Sequence, residues 1–253
     1  MKNLILILLS GICLYFGAVI YLYATQDNKI FNRKWAKPYE PTIAKKITFK
    51  TSDGIVLEGA YIENGKNLPL VLYFSGNANN VIEFLEKTAP KIKNYNFIGF
   101  NYPGYAGSEG KPCEKCILKY ALEVFDSYSP DIVMGRSLGS AVAAYVASKR
   151  NIKKLVLITP FDSIVNIAKS KYPFLPVEKL VKYKFNEAEW IKKTNVPVSI
   201  LLVKNDDVIP QKSIDNLLNN IPDLHKKVVI SGVKHGNIYK FNNIEKVIEK
   251  LLN

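Results

Sequence analysis

Hydrophobic positions along the chain fall into two regimes. Residues 4–23 read LILILLSGICLYFGAVIYLY, twenty positions without a charge. As a helix rising 1.5 Å per residue, such a run spans about 30 Å, the thickness of a bilayer's hydrocarbon core. Beyond it, short apolar runs alternate with segments of helical spacing. Lys46–Thr51 and Ile55–Ile62 are β-like runs joined by Ser52-Asp53-Gly54, a hairpin signal. Pro69–Phe74 (PLVLYF) is almost wholly apolar, as a strand buried on both faces requires. The pattern then predicts a helix from Asn79 to about Ile92, a strand at Asn96–Phe100 and a helix from Pro112 to about Tyr128. A strand at Asp131–Met134 and an alanine-rich helix over Leu138–Arg150 come next. Strands follow at Lys154–Ile158, Pro197–Val203 and Lys227–Ile230, and Glu245–Leu252 belongs to a closing helix. A hairpin followed by alternating strands and helices predicts the α/β class, with a doubly wound, mostly parallel sheet and helices on both faces.

The N-terminal run is a separate element. A cleaved signal peptide has a shorter apolar stretch, roughly 7–15 residues, and a small-x-small site. Here the run continues into Tyr21, Leu22 and Tyr23, and the bulky Ile12 before Cys13 argues against lipoprotein processing. The organisation predicted is a transmembrane anchor over residues 1–27, a linker over 28–44 containing Pro38 and Pro41, and one folded domain over 45–253. The protein is thus expected in a membrane, held by a single-pass N-terminal span. Lys2 precedes the span, and Lys29, Arg33, Lys34 and Lys37 follow it. The positive-inside rule leans toward a cytoplasmic domain, but long domains cross regardless of such charges, so the sequence leaves the side open.

Composition narrows the partners. The net charge is +13, from 35 Lys+Arg against 22 Asp+Glu. That balance favours anionic partners, an acidic lipid surface or nucleic acid. The lysines are spread out and no nucleic-acid-binding motif is present, so solvation and a membrane surface are the readings kept, and no nucleic-acid partner is expected. Cys113 and Cys116 form a lone C-x-x-C that cannot by itself supply four zinc ligands. It reads as two thiols at a helix start, with a disulfide if the domain faces an oxidising compartment.

Ligands in doubly wound sheets bind beyond the carboxyl ends of the strands, so chemistry is sought in the loops after them. Gly135-Arg136-Ser137-Leu138-Gly139 is G-x-S-x-G, between an apolar strand and the alanine-rich helix. As a bare pattern it arises by chance in about one chain of this size in ten, since each residue has roughly 7% frequency. Its context makes it specific: a sharp strand-to-helix turn exposes the serine hydroxyl, and the helix start aims free N–H groups at a developing oxyanion. Ser137 is the candidate nucleophile, with Gly135 and Gly139 as the glycines of the turn. The loop Phe74-Ser75-Gly76-Asn77-Ala78 follows the strand PLVLYF, and the backbone N–H groups of Asn77 and Leu138 are the candidate oxyanion donors. A serine needs a base. Of the two histidines, His235 follows the last strand and His225 precedes it, so only His235 is placed at the edge where Ser137 sits. Asp206 and Asp207, after the strand PVSILLV, are both candidates for the acid that orients the base.

These residues resemble the α/β-hydrolase superfamily over about residues 45–253, and within it the membrane-anchored α/β-hydrolase-domain proteins related to lysophospholipases and serine aminopeptidases. The resemblance rests on FSGNANN (74–80), NYPGYAGSEG (101–110), GRSLG (135–139), TPFDSI (159–164) and DDVIP (206–210). It implies the α/β-hydrolase fold and a Ser137-Asp206-His235 triad, because the family's acid usually stands four residues before the proline. It also implies a lid between strands, here a short region at about 160–193 and hence an open pocket. One departure is Ser75, where relatives often carry histidine. The implied reaction is cleavage of an ester, thioester or amide bond through an acyl-serine, with no metal or organic cofactor. A membrane location favours carboxylic esters of lipid-like or small acyl substrates. An acyltransferase with the same triad and a non-catalytic, membrane-tethered interaction protein are the alternatives. Oligomeric state is not legible in the sequence.

Overall fold

The computed structural model describes residues 2–253. Eight strands make one sheet: β1 (Lys45–Lys50), β2 (Val56–Ile62), β3 (Leu70–Phe74), β4 (Asn96–Phe100), β5 (Ile132–Arg136), β6 (Lys154–Ile158), β7 (Val198–Val203) and β8 (Leu224–Ile230). Their order across the sheet is β1-β2-β4-β3-β5-β6-β7-β8. β2 pairs antiparallel with both β1 and β4, and every pairing from β4 to β8 is parallel. This is the mostly parallel sheet that the alternation of elements predicts.

Nine helices accompany it among the described residues: α1 (Lys2–Ile30), α2 (Val81–Lys87), α3 (Glu114–Tyr128), α4 (Leu138–Ala147), α5 (Ile164–Lys171), α6 (Val177–Leu180), α7 (Glu187–Ile191), α8 (Gln211–Leu218) and α9 (Ile244–Leu252). The central strands are buried on both faces and sort their side chains with a period of two. On β3, Leu72 and Phe74 join a core with α3, α4, α7 and α8, while Val71 and Tyr73 join a second core with α2 and α9. Each fully buried Leu, Ile or Phe contributes about 1.5–3 kcal/mol relative to exposure, so these two layers carry most of the stability.

Several elements differ from the sequence reading. The helix placed at Asn79–Ile92 is capped by Asn80, whose Oδ1 accepts from Ile82 N at 2.9 Å, and ends at Lys87; a 3-10 turn over Ala89–Lys91 takes up Pro90. β8 begins at Leu224 rather than Lys227, which corrects the placement of His225: it lies inside the strand, at its first turn of pleat, and is exposed. α1 runs on past the apolar stretch to Ile30, and the following segment is packed, with Phe31 and Ala36 in the core. Cys113 and Cys116 are joined in a disulfide at the start of α3.

Strand register sets what can meet. Phe74 pairs with Gly135, Arg136 with Ile158 and Val203 with Ile230. The loops after β3, β5, β7 and β8 therefore share one edge of the sheet.

Candidate active site

The strand β5 passes directly into α4, and the residue between them is Ser137, at φ 51° and ψ −121°. A left-handed φ is uncommon for a residue with a side chain and is held only where its surroundings enforce it. Here Ser137 N–H donates to Ile158 O at 2.8 Å and Ser140 N–H to Ser137 O at 2.8 Å. The two glycines of the motif have steric causes. A Cβ on Gly135 would lie 2.0 Å from Gly139 O, and one on Gly139 would lie 2.2 Å from Phe74 O. The turn is so tight against the neighbouring backbone that neither position has room for a methyl group.

The three side chains singled out in the sequence come together. His235 Nε2 is 2.9 Å from Ser137 Oγ, and His235 Nδ1 is 2.8 Å from Asp206 Oδ2. Asp206 Oδ1 also accepts the N–H groups of Val208 and Ile209, at 2.8 and 2.9 Å. Burial pushes the Asp206 carboxyl up, but the hydrogen bond and charge of His235 and those two N–H groups outweigh it and hold the carboxyl below its ordinary value. Asp206 is thus an ionised acceptor at neutral pH, which sets the proton on Nδ1 and leaves Nε2 free to accept from Ser137. Asp207 meets the same residue elsewhere: its Oδ1 accepts the His235 main-chain N–H at 3.0 Å. His225 lies at the start of β8, beside the start of β7, on the opposite edge of the sheet.

Asn77 and Leu138 line the same cavity as Ser137. Among the described residues neither backbone N–H donates to a protein acceptor. Leu138 is the first residue of α4, where helix N–H groups have no partner within the helix and the dipole favours negative charge. The loop that carries Asn77 is strapped from the β4 side. Tyr102 OH donates to Ser75 O at 2.8 Å and Tyr105 OH to Asn77 O at 3.0 Å. These tyrosines belong to NYPGY, and the sequence signal that could have assigned them is two aromatic hydroxyls in the loop after the neighbouring strand.

Two further groups escaped the sequence reading. Arg136 is buried; its Nη2 donates to His235 O at 2.7 Å and its Nη1 to Asn79 Oδ1, and its guanidinium lies 5.8 Å from the Tyr239 ring centre. It ties the loop of His235 to the loop after β3. Glu187, at the start of α7, is fully buried beneath the serine turn. Burial pushes its carboxyl well above the ordinary range, and the nearby Asp162 adds to this against the opposing bonds of Ser140 and Phe161. Ser140 Oγ lies 2.6 Å from Ser137 O and 2.8 Å from Glu187 Oε2. The Ser140 hydroxyl is thus within donating distance of both the Ser137 carbonyl and the Glu187 carboxyl, and links the serine turn to α7.

Over this arrangement opens a cavity of about 1100 Å³, just above the ~300–1,000 Å³ usual for small-molecule sites. The region at 160–193 forms α5, α6 and α7, and α5 and α6 supply part of the cavity wall. No group of three or more metal-ligating side chains occurs among the described residues.

No family model matches the sequence. An uncharacterised protein of Mycobacterium tuberculosis is 30% identical over 200 residues, covering 75% of this chain and 71% of its own length. An uncharacterised membrane protein of Saccharomyces cerevisiae is 29% identical over 206 residues, 76% of this chain and 71% of its own. The α/β-hydrolase domain-containing protein WAV2 of Arabidopsis thaliana is 29% identical over 196 residues, 66% of this chain and 63% of its own. Among solved structures, the Pyrococcus furiosus esterase Pf2001 superposes with a TM-score of 0.61 at 20% identity, over 85% of this chain and 98% of its own. Sequence likeness and shared fold lead to one assignment: the chain belongs to the α/β-hydrolase superfamily.

Proposed function

We propose that the protein is a serine hydrolase, esterase-like, working at a membrane. The observation that carries this reading is the hydrogen-bonded series Asp206–His235–Ser137, whose serine and histidine line the cavity. In the proposed reaction Ser137 Oγ attacks the acyl carbonyl while His235 Nε2 takes its proton. The negative charge that develops on the carbonyl oxygen is received by the N–H groups of Asn77 and Leu138, fixed in place before the reaction. His235 returns the proton to the leaving oxygen, the alcohol departs, and an acyl-serine remains. A water molecule, deprotonated by the same nitrogen, then attacks the ester carbon and releases a carboxylic acid and free Ser137. Asp206 holds the imidazole tautomer and balances the charge of the imidazolium.

Carboxylic esters of lipid-like or small acyl groups fit the apolar cavity. α1 supports a membrane anchor, because it is long and apolar enough to cross a bilayer and its most apolar stretch is not buried in the protein. In this reading residues 28–44 join the anchor to the hydrolase domain. The test is a fluorophosphonate probe, which reacts only with activated serines. Labelling that maps to Ser137 and does not occur on protein boiled before the probe is added supports the reading; no labelling of folded protein contradicts it.

A further inference from the structure

The cavity above Ser137 is walled in part by α1. Leu22 and Tyr23 belong both to the last turn of the apolar run 4–23 and to the cavity lining. Ile167, Leu175 and Leu180, from the region at 160–193, line the same cavity. The helix is fastened there. Gln26 is buried, donating from Nε2 to Leu180 O at 3.1 Å and accepting at Oε1 from Lys182 N at 2.8 Å. Lys182 Nζ lies 4.5 Å from the Tyr23 ring centre, and the Phe31 and Tyr183 rings pack at 4.7 Å. On the opposite side Asn77, whose backbone faces the reaction, donates from Nδ2 to Ile30 O at 3.1 Å. The end of the membrane helix is therefore bonded both to the lid and to the oxyanion loop.

The charges at this end are one-sided. Lys29, Lys34 and Lys171 line the cavity, are exposed, and form no ion pair among the described residues. The one carboxylate in the lining is Asp207, which is engaged with His235 N.

Resting on the serine-hydrolase reading, we propose that α1 is a wall of the substrate site as well as an anchor. The substrate is a long-chain acyl ester with an anionic head, entering from the bilayer along α1. The wall begins where the apolar span ends, so the mouth of the cavity lies at the membrane interface. An acyl chain that passes from the bilayer along Leu22 into the lid's apolar lining never exposes its methylenes to water, which removes the main barrier to leaving the membrane. The three lysines hold the anionic head at the rim, where lipid phosphates lie. The ester carbon between head and chain then reaches Ser137.

The test uses the full-length protein in phosphatidylcholine vesicles. Two comparisons are measured: palmitoyl against acetyl p-nitrophenyl ester, and palmitoyl-lysophosphatidylglycerol against its zwitterionic choline counterpart. Leu22→Trp narrows the wall, and Leu180→Trp obstructs the lining from the region at 160–193. Each is expected to lower the palmitoyl-to-acetyl ratio of kcat/KM at least tenfold. Lys29→Glu combined with Lys171→Glu is expected to reduce the preference for the anionic lipid at least fivefold. Unchanged ratios in both tryptophan variants overturn the lipid path, even where esters are still cleaved. Absence of all ester cleavage and of fluorophosphonate labelling in the wild type would instead overturn the hydrolase reading beneath it.

Discussion

Asp206 and Asp207 are neighbours in the chain, yet they serve opposite ends of the same histidine. Asp206 holds the imidazole at Nδ1, and Asp207 holds the main-chain N–H. Asp206→Asn keeps the shape but can donate its amide to Nδ1, which puts the proton on the wrong nitrogen. By the measure of serine proteases this costs up to about 10⁴ in kcat. Asp207→Asn retains an acceptor oxygen for the N–H, and its loss should stay within about tenfold, the scale of one weakened hydrogen bond. Kinetics on the two purified variants check this, and a reversed order moves the acid by one residue. In the sequence, Asp206 is favoured by the family spacing to Pro210 and by its place as the first aspartate after the strand PVSILLV. What Asp207 does was not legible there, because a side chain aimed at a backbone N–H leaves no pattern in the chain.

Glu187 makes a second prediction at the same scale. Its carboxyl is held well above the ordinary 4.5 in the folded protein by burial. Below 4.5 it is protonated both folded and unfolded and has no effect on pH dependence. Above that value the unfolded chain gives up the proton while the folded one keeps it, so stability falls as pH rises through this window. Glutamine at this position keeps an acceptor oxygen for Ser140 and does not titrate. The melting temperature of Glu187→Gln relative to wild type should therefore rise between pH 4 and pH 7. A difference that stays constant across that range contradicts a Glu187 carboxyl raised by burial.

Among the elements, the β5–α4 turn is the most constrained. Gly139→Ala places a methyl group 2.2 Å from Phe74 O, a backbone atom of a central strand that cannot give way cheaply. Overpacking of this kind typically costs 1–3 kcal/mol, so unfolding in urea should show a loss of about 2 kcal/mol or more. Gly236→Ala, where nothing lies within 4 Å, should cost far less. Equal costs would mean that the turn is looser than described. The central strands were readable because burial on both faces writes them as continuous apolar runs, and β4 and β6 match the reading residue for residue. β8 was truncated for the opposite reason. It is an edge strand with exposed Leu224, His225 and Lys227 side by side with half-buried positions, and charged residues on an edge blur the strand signal. Helices α5, α6 and α7, in the region at 160–193, have eight, four and five residues, too few turns to establish a helical period.

At the scale of the whole molecule the hydrolase domain and α1 are joined by packing as well as by sequence. The apolar run was plain in the sequence. Its attachment was not, because the contacts are made by Gln26, Asp27 and Lys182, which read as ordinary polar positions. With residues 4–23 free of charge and exposed on the protein, the uncleaved chain should stay with the membrane through carbonate and high-salt washes and be released only by detergent. Recovery of uncleaved protein in a wash would contradict an anchor and leave only a basic surface as the means of attachment.

All of these expectations converge on the hydroxyl of Ser137. The measurement that tests it most directly is turnover of a p-nitrophenyl ester by purified full-length protein and by Ser137→Ala, each checked for an unchanged melting curve. A Ser137→Ala rate at least about 10³-fold below wild type, with the fold intact, is the predicted result. Wild-type-like turnover in Ser137→Ala would contradict the assignment of the nucleophile and with it the proposed mechanism.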